Sequence, residues 1–131
     1  MQEQIKYRTK QIGLEVIKLI DELPNKPSVW TVAKQIVKSS TSIGANYRAA
    51  CRAKSTPDFL NKLKIVEEEA DETIYWLEIL MESNLILRER VSGLLSETNE
   101  ILSIIVASIN TVKNKSNQIV NPQSKIVNLK S

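Results

Sequence analysis

Residues 28–59 read SVWTVAKQIVKSSTSIGANYRAACRAKSTPDF, and the fold turns on how this stretch divides. Val29, Ala33, Ile36, Ser40, Ile43, Tyr47 and Ala50 recur at alternating steps of four and three. That spacing places side chains on one face of an α-helix. The run breaks at Lys54-Ser55-Thr56-Pro57-Asp58. Thr56 can cap a following helix, Pro57 suits its first position, and Asp58 favours the positive end of its dipole. Phe59, Leu63, Val66, Ala70, Thr73, Leu77 and Leu80 then repeat the same rhythm. Two amphipathic helices of about 26 residues, each about 39 Å long at 1.5 Å per residue, joined by a short turn, make a hairpin.

The flanks extend the pattern. Ile5, Ile12, Val16, Leu19 and Leu23 form the stripe of a first helix, which stops at Leu23-Pro24-Asn25-Lys26-Pro27. Two prolines there forbid continuation, and Ser28 is the expected N-cap of the second helix. Asn84 is a C-terminal stop for the third helix, and Val91, Leu94, Thr98, Ile101, Ile105, Ile109 and Val112 carry a fourth. The pattern fades after Lys115, so residues 1–116 are read as one domain and 117–131 as a polar, basic tail. The expected fold is all-α, an up-down-up-down four-helix bundle with its helices crossing at about 20°.

Composition narrows the function. The chain has 131 residues, of which 42% are hydrophobic, 3 are Gly, 4 are Pro, 1 is Cys and none is His. This suits a single globular domain with a sizeable core. The absence of His removes triad and dyad catalysis and the Glu-x-x-His metal centres that bundles build. The acidic run Glu67 to Glu72 lies between Val66 and Thr73, with Ala70 inside it; these three are the core-stripe positions, so the carboxylates flank the core, and no metal or other cofactor is expected. The lone Cys51 excludes a disulfide framework and reads as a small buried hydrophobe. No stretch approaches a membrane span and no signal-peptide pattern opens the chain, so a cytoplasmic setting is expected.

The formal net charge of +3 conceals a division. Residues 23–57 carry Lys26, Lys34, Lys38, Arg48, Arg52 and Lys54 with no acid, a local +6. Residues 58–82 carry eight acids against Lys62 and Lys64, a local −6. Either the two helices neutralise each other across the hairpin, or some cations face outward and contact phosphate. The candidates for such contact are Lys34, Lys38, Arg48, Arg52 and Lys54.

Ser39-Ser40-Thr41-Ser42 and Gly44 are poor helix formers inside a helix. Small residues there let another helix approach closely, with the hydroxyls bonding back to the preceding turn. The third helix also carries more apolar residues than one core stripe needs. Tyr75, Trp76 and Ile79 lie off that stripe and are candidate anchors of a homo-oligomer interface.

The segment Gln35-Ile36-Val37-Lys38-Ser39-Ser40-Thr41-Ser42-Ile43-Gly44-Ala45-Asn46-Tyr47-Arg48, with Arg52-Ala53-Lys54-Ser55-Thr56-Pro57-Asp58-Phe59, resembles the bacterial family of proteins encoded in intervening sequences of 23S ribosomal RNA. Glu67 to Glu72 followed by Trp76-Leu77-Glu78 is similar to one branch of it, and the resemblance spans roughly residues 5–115. Ser42, Ile43, Asn46, Arg52 and Ser55 match its signature. Where many members have Glu-Gly, this chain has Ala49-Ala50-Cys51. The resemblance implies a cytoplasmic, non-enzymatic bundle that assembles into ring-like pentamers. The family includes accessory proteins of diversity-generating retroelements, which bind nucleic acid and a reverse transcriptase through a basic surface. The expected function is therefore an oligomeric accessory protein that binds RNA or a ribonucleoprotein. The alternative is a structural homo-oligomeric module with no nucleic-acid binding.

Overall fold

A computed structural model describes residues 1–120, all of the chain except 121–131. It comprises four helices: α1 (Gln2–Asp21), α2 (Pro27–Cys51), α3 (Thr56–Glu82) and α4 (Arg88–Val120). No strand occurs among the described residues. Consecutive helices pack side by side, and α4 closes the figure against α1 more sparsely. The helices thus stand at the corners of a square, with α1 diagonal to α3. α4 runs to Val120, past the start expected for the tail at residue 117; the rest of that segment lies outside the described residues.

The N-caps of α2 and α3 lie two residues and one residue before their expected places. Pro27 opens α2, making Lys26 the N-cap with extended backbone at φ −135°, ψ 151°. Proline's fixed φ suits the first helical position, which leaves Ser28 inside the helix. Ser55, not Thr56, caps α3: its Oγ accepts the Asp58 backbone N–H at 3.2 Å. Asn84 ends α3 at φ 60°, the left-handed conformation that asparagine tolerates better than most residues.

The stripes expected from the periodicity form the core. One cluster joins Ile5, Ile12, Ile43, Leu63, Val66, Ala70, Ile101 and Ile105. The other joins Val16, Leu19, Ile36, Leu77, Leu80 and Val91. Five polar side chains, Thr9, Ser39, Ser40, Thr73 and Thr98, are also fully buried. Each hydroxyl bonds to a carbonyl three or four residues earlier, as with Thr9 to Ile5 at 2.8 Å and Thr98 to Leu94 at 2.8 Å. The Ser39 and Thr73 hydroxyls also meet at 2.9 Å, linking α2 to α3.

Close approach is concentrated between α1 and α2. A Cβ at Gly44 would lie 3.2 Å from the Lys10 backbone nitrogen and 3.3 Å from the Thr9 carbonyl carbon. At Gly13 it would meet the Thr41 Cα at 3.4 Å. The small-residue segment therefore serves helix packing. Ion pairs tie α1 to α4 instead. Arg8 reaches Glu97 at 2.6 Å and Glu100 at 3.2 Å, and Arg90 pairs with Glu22.

Two stability tests follow from this geometry. Gly93 is exposed, and a Cβ there meets nothing within 4 Å. Gly93→Ala should raise the unfolding free energy by about 0.5–1 kcal/mol through helix propensity alone. Gly44→Val should lower it by about 2 kcal/mol or more, because α1 backbone must move. Urea denaturation reads both. The second test concerns pH. The hydrogen bond from Arg8 holds the Glu97 carboxyl below its ordinary value. A depressed carboxylate contributes stability above its unfolded pKa, which is lost as pH falls through the folded value. Arg8→Met should therefore be less stable than wild type at pH 7 and show a shallower loss of stability between about pH 5 and pH 3.

Candidate nucleic-acid interface

At 100° per residue, Lys34, Lys38, Arg48 and Arg52 fall within an arc of about 80° on α2. All four are exposed, as is Lys54 just beyond the helix. Their Cα positions span about 27 Å along one outer ridge. The ridge begins with Trp30, whose ring is 57% exposed and whose indole N–H donates to the Asn25 side chain.

The charge division of the sequence becomes two ridges. Glu68, Asp71, Glu72, Glu78 and Glu82 are exposed along the outside of α3, beside α2. The two ridges do not neutralise each other by direct contact. Among the described residues, no α2 cation lies within 4 Å of a carboxylate; the ion pairs lie within α1 or between α1 and α4. The two ridges still act on each other at longer range. Burial and Glu72 raise the Glu69 carboxyl above its usual value, while Lys38 opposes them. The α2 cations are thus exposed, with no carboxylate in contact among the described residues.

The signature residues have structural tasks. Ile43 is fully buried. The Ser42 hydroxyl donates to the Lys38 carbonyl at 2.7 Å, and the Asn46 amide donates to the Ser42 carbonyl at 2.9 Å. Ser55 caps α3, and Arg52, at the C-cap of α2, is the one signature residue that also belongs to the basic ridge. Tyr47 is buried, which pushes its phenol up to about 12, with neighbouring Cys51 adding to the shift. Cys51 is half-buried against the core.

The apolar candidates on α3 separate. Tyr75 is 54% exposed, whereas Trp76 and Ile79 are half-buried. Trp76 packs against the second core cluster, edge-on to Tyr75 at 5.0 Å between ring centres, and its buried indole N–H has no partner among the described residues. The sequence reading missed a second exposed apolar set, Tyr7, Leu14 and Ile17 on α1. Their spacing of seven and three was the available signal. No group of three or more Cys, Asp or Glu side chains is placed to hold a metal ion, and no helix is long and apolar enough to cross a membrane, among the described residues.

Ser55→Ala should cost about 1 kcal/mol of stability, the usual loss for an N-cap. Urea denaturation reads the loss, because the hydroxyl is engaged with the helix it caps.

Comparison with known proteins completes the description. No curated protein matches the chain. Among solved structures, a crystal structure of a protein with unknown function from the S23 ribosomal protein family of Bacteroides thetaiotaomicron matches with a TM-score of 0.77 and 36% identity, covering 83% of this chain and 97% of that one. The family described as 23S rRNA-intervening sequence protein matches residues 2–107, nearly the whole bundle. By fold, by sequence and by the extent of both matches, the chain belongs to the family of 23S rRNA-intervening sequence proteins.

Proposed function

We propose that this protein is a cytoplasmic, non-enzymatic accessory protein that binds RNA, alone or within a ribonucleoprotein, through the outer ridge of α2. It does so as a homo-oligomer, a pentamer by analogy with the assemblies that the sequence resemblance implies. The observation that carries the reading is the state of the α2 cations. Lys34, Lys38, Arg48 and Arg52 share one exposed ridge, and none is taken up by a carboxylate within 4 Å among the described residues, although an acidic helix lies alongside. The family name, with its reference to ribosomal RNA, points the same way. A ridge of about 27 Å spans several phosphates of an extended strand. The acidic ridge of α3 repels phosphate, which confines the strand to the α2 side.

A purely structural oligomer is the second reading. It is favoured by the acidic α3 ridge, which could neutralise the α2 cations between neighbouring copies.

Fluorescence anisotropy with a single-stranded RNA oligomer separates the two. Four phosphate contacts give a log–log salt slope of about −3, so affinity should fall about 50-fold between 50 and 200 mM monovalent salt. The triple variant Lys34→Glu, Lys38→Glu, Arg52→Glu should bind at least about 100-fold more weakly at 50 mM salt, with a flatter slope and an unchanged helical circular dichroism spectrum. No binding by the wild type at 50 mM salt, or equal binding by the variant, overturns the reading.

A further inference from the structure

Two exposed surfaces at diagonal corners of the bundle complement each other. We infer that the groove between α1 and α2 of one copy receives the outer ridge of α3 from a second copy. This assignment rests on the oligomeric reading above and identifies the two sides of the contact.

The receiving side is apolar with a basic rim. Tyr7, Leu14 and Ile17 are 65%, 42% and 41% exposed, three large apolar side chains on one helix face. Scattered single exposures are ordinary, but a contiguous set at a groove marks an interface. These residues line a groove of about 480 Å³ whose α1 rim carries Lys6, Lys10 and one carboxylate, Glu3, while Arg48 stands where the groove meets the α2 ridge. Glu3 is engaged by Lys6 at 3.0 Å, while Lys10 has no ion-pair partner within 4 Å among the described residues. Aliphatic Leu14 and Ile17 have nothing to offer phosphate, so the groove suits a protein surface rather than a nucleic-acid strand.

The inserted side has the opposite charge and the same layout. On α3 the exposed carboxylates Glu68, Asp71 and Glu72 precede Tyr75, which projects at 54% exposure beside half-buried Ile79. On α1, Lys10 precedes Leu14 by four residues; on α3, Asp71 precedes Tyr75 by four. Both steps are about 6 Å along a helix axis, so carboxylate meets ammonium where aromatic meets aliphatic. The direction agrees as well. In an up-down-up-down bundle, α1 and α3 run the same way. A rotation about an axis parallel to the bundle then brings α3 of one copy beside α1 of the next with matching polarity. Such head-to-tail contacts close into rings when the rotation divides the circle.

Sedimentation velocity on the full chain, at a concentration where the wild type is assembled, tests the contact with two charge-reversal pairs. Lys6→Glu with Lys10→Glu reverses the groove rim, and Glu68→Lys with Asp71→Lys reverses the ridge. All four positions lie outside the core, so circular dichroism should be unchanged. Each pair should weaken assembly at least about 10-fold by placing like charges together. The chain carrying all four substitutions should assemble within about threefold of wild type. Leu14→Asp, which leaves the rim charges in place, should also dissociate the assembly. If the wild type is a monomer at 200 µM, the oligomeric reading itself fails. If the wild type assembles but either pair does so equally well, or the fourfold variant stays dissociated, the surface assignment fails and the oligomeric reading stands.

Discussion

Gly44 allows the backbone of α1 to lie against α2, with an added Cβ only 3.2 Å from the Lys10 nitrogen. Much of the architecture depends on that approach. It brings Thr9 into the core, where its hydroxyl must turn back to the Ile5 carbonyl. It also sets Ser39 and Ser40 facing inward, so that the opposite side of α2 carries Lys34, Lys38, Arg48 and Arg52 outward. Small residues inside and cations outside are two consequences of one helical period. The groove lined by Tyr7, Leu14 and Ile17 lies over this same junction.

The electrostatics follow from where ion pairs form and where they do not. α1 and α4 share the sparsest packing of the neighbouring pairs, and the inter-helical ion pairs lie there, with Arg8 gripping Glu97 and Glu100 and Arg90 holding Glu22. α2 and α3 are held by packed side chains and by the Ser39–Thr73 hydrogen bond. Their opposite charges therefore remain on the surface as two parallel ridges, one attractive to phosphate and one repellent. A protein with a near-neutral total charge thereby presents strongly different faces.

The helices, their stripes and the stop at Asn84 were legible in the sequence because each depends on neighbours three or four residues away. The caps were legible only to within two residues. Ser55 and Thr56 both carry a suitable hydroxyl, and the choice lies with which one places its oxygen near the Asp58 N–H. Family resemblance singled out Ser42, Ile43 and Asn46, but whether they bind or build is a matter of orientation: the structure buries Ile43 and ties Ser42 and Asn46 to carbonyls of α2 itself. The Arg8–Glu97 pair joins residues 89 positions apart, which no local pattern reveals. The exposed face of α1 escaped notice for a related reason. Tyr7, Leu14 and Ile17 resemble ordinary helix filler until the positions of the other three helices show that none covers them.

The central claim is that the α2 ridge is the surface this bundle offers to RNA. Amide chemical-shift mapping during titration with a short single-stranded RNA at low salt tests it residue by residue. The account predicts that the largest shifts cluster between residues 30 and 54 on the outside of α2 and vanish as salt is raised, while the outer face of α3 stays unmoved. Shifts centred on α3 or α4, or no shifts at any salt concentration, would contradict it.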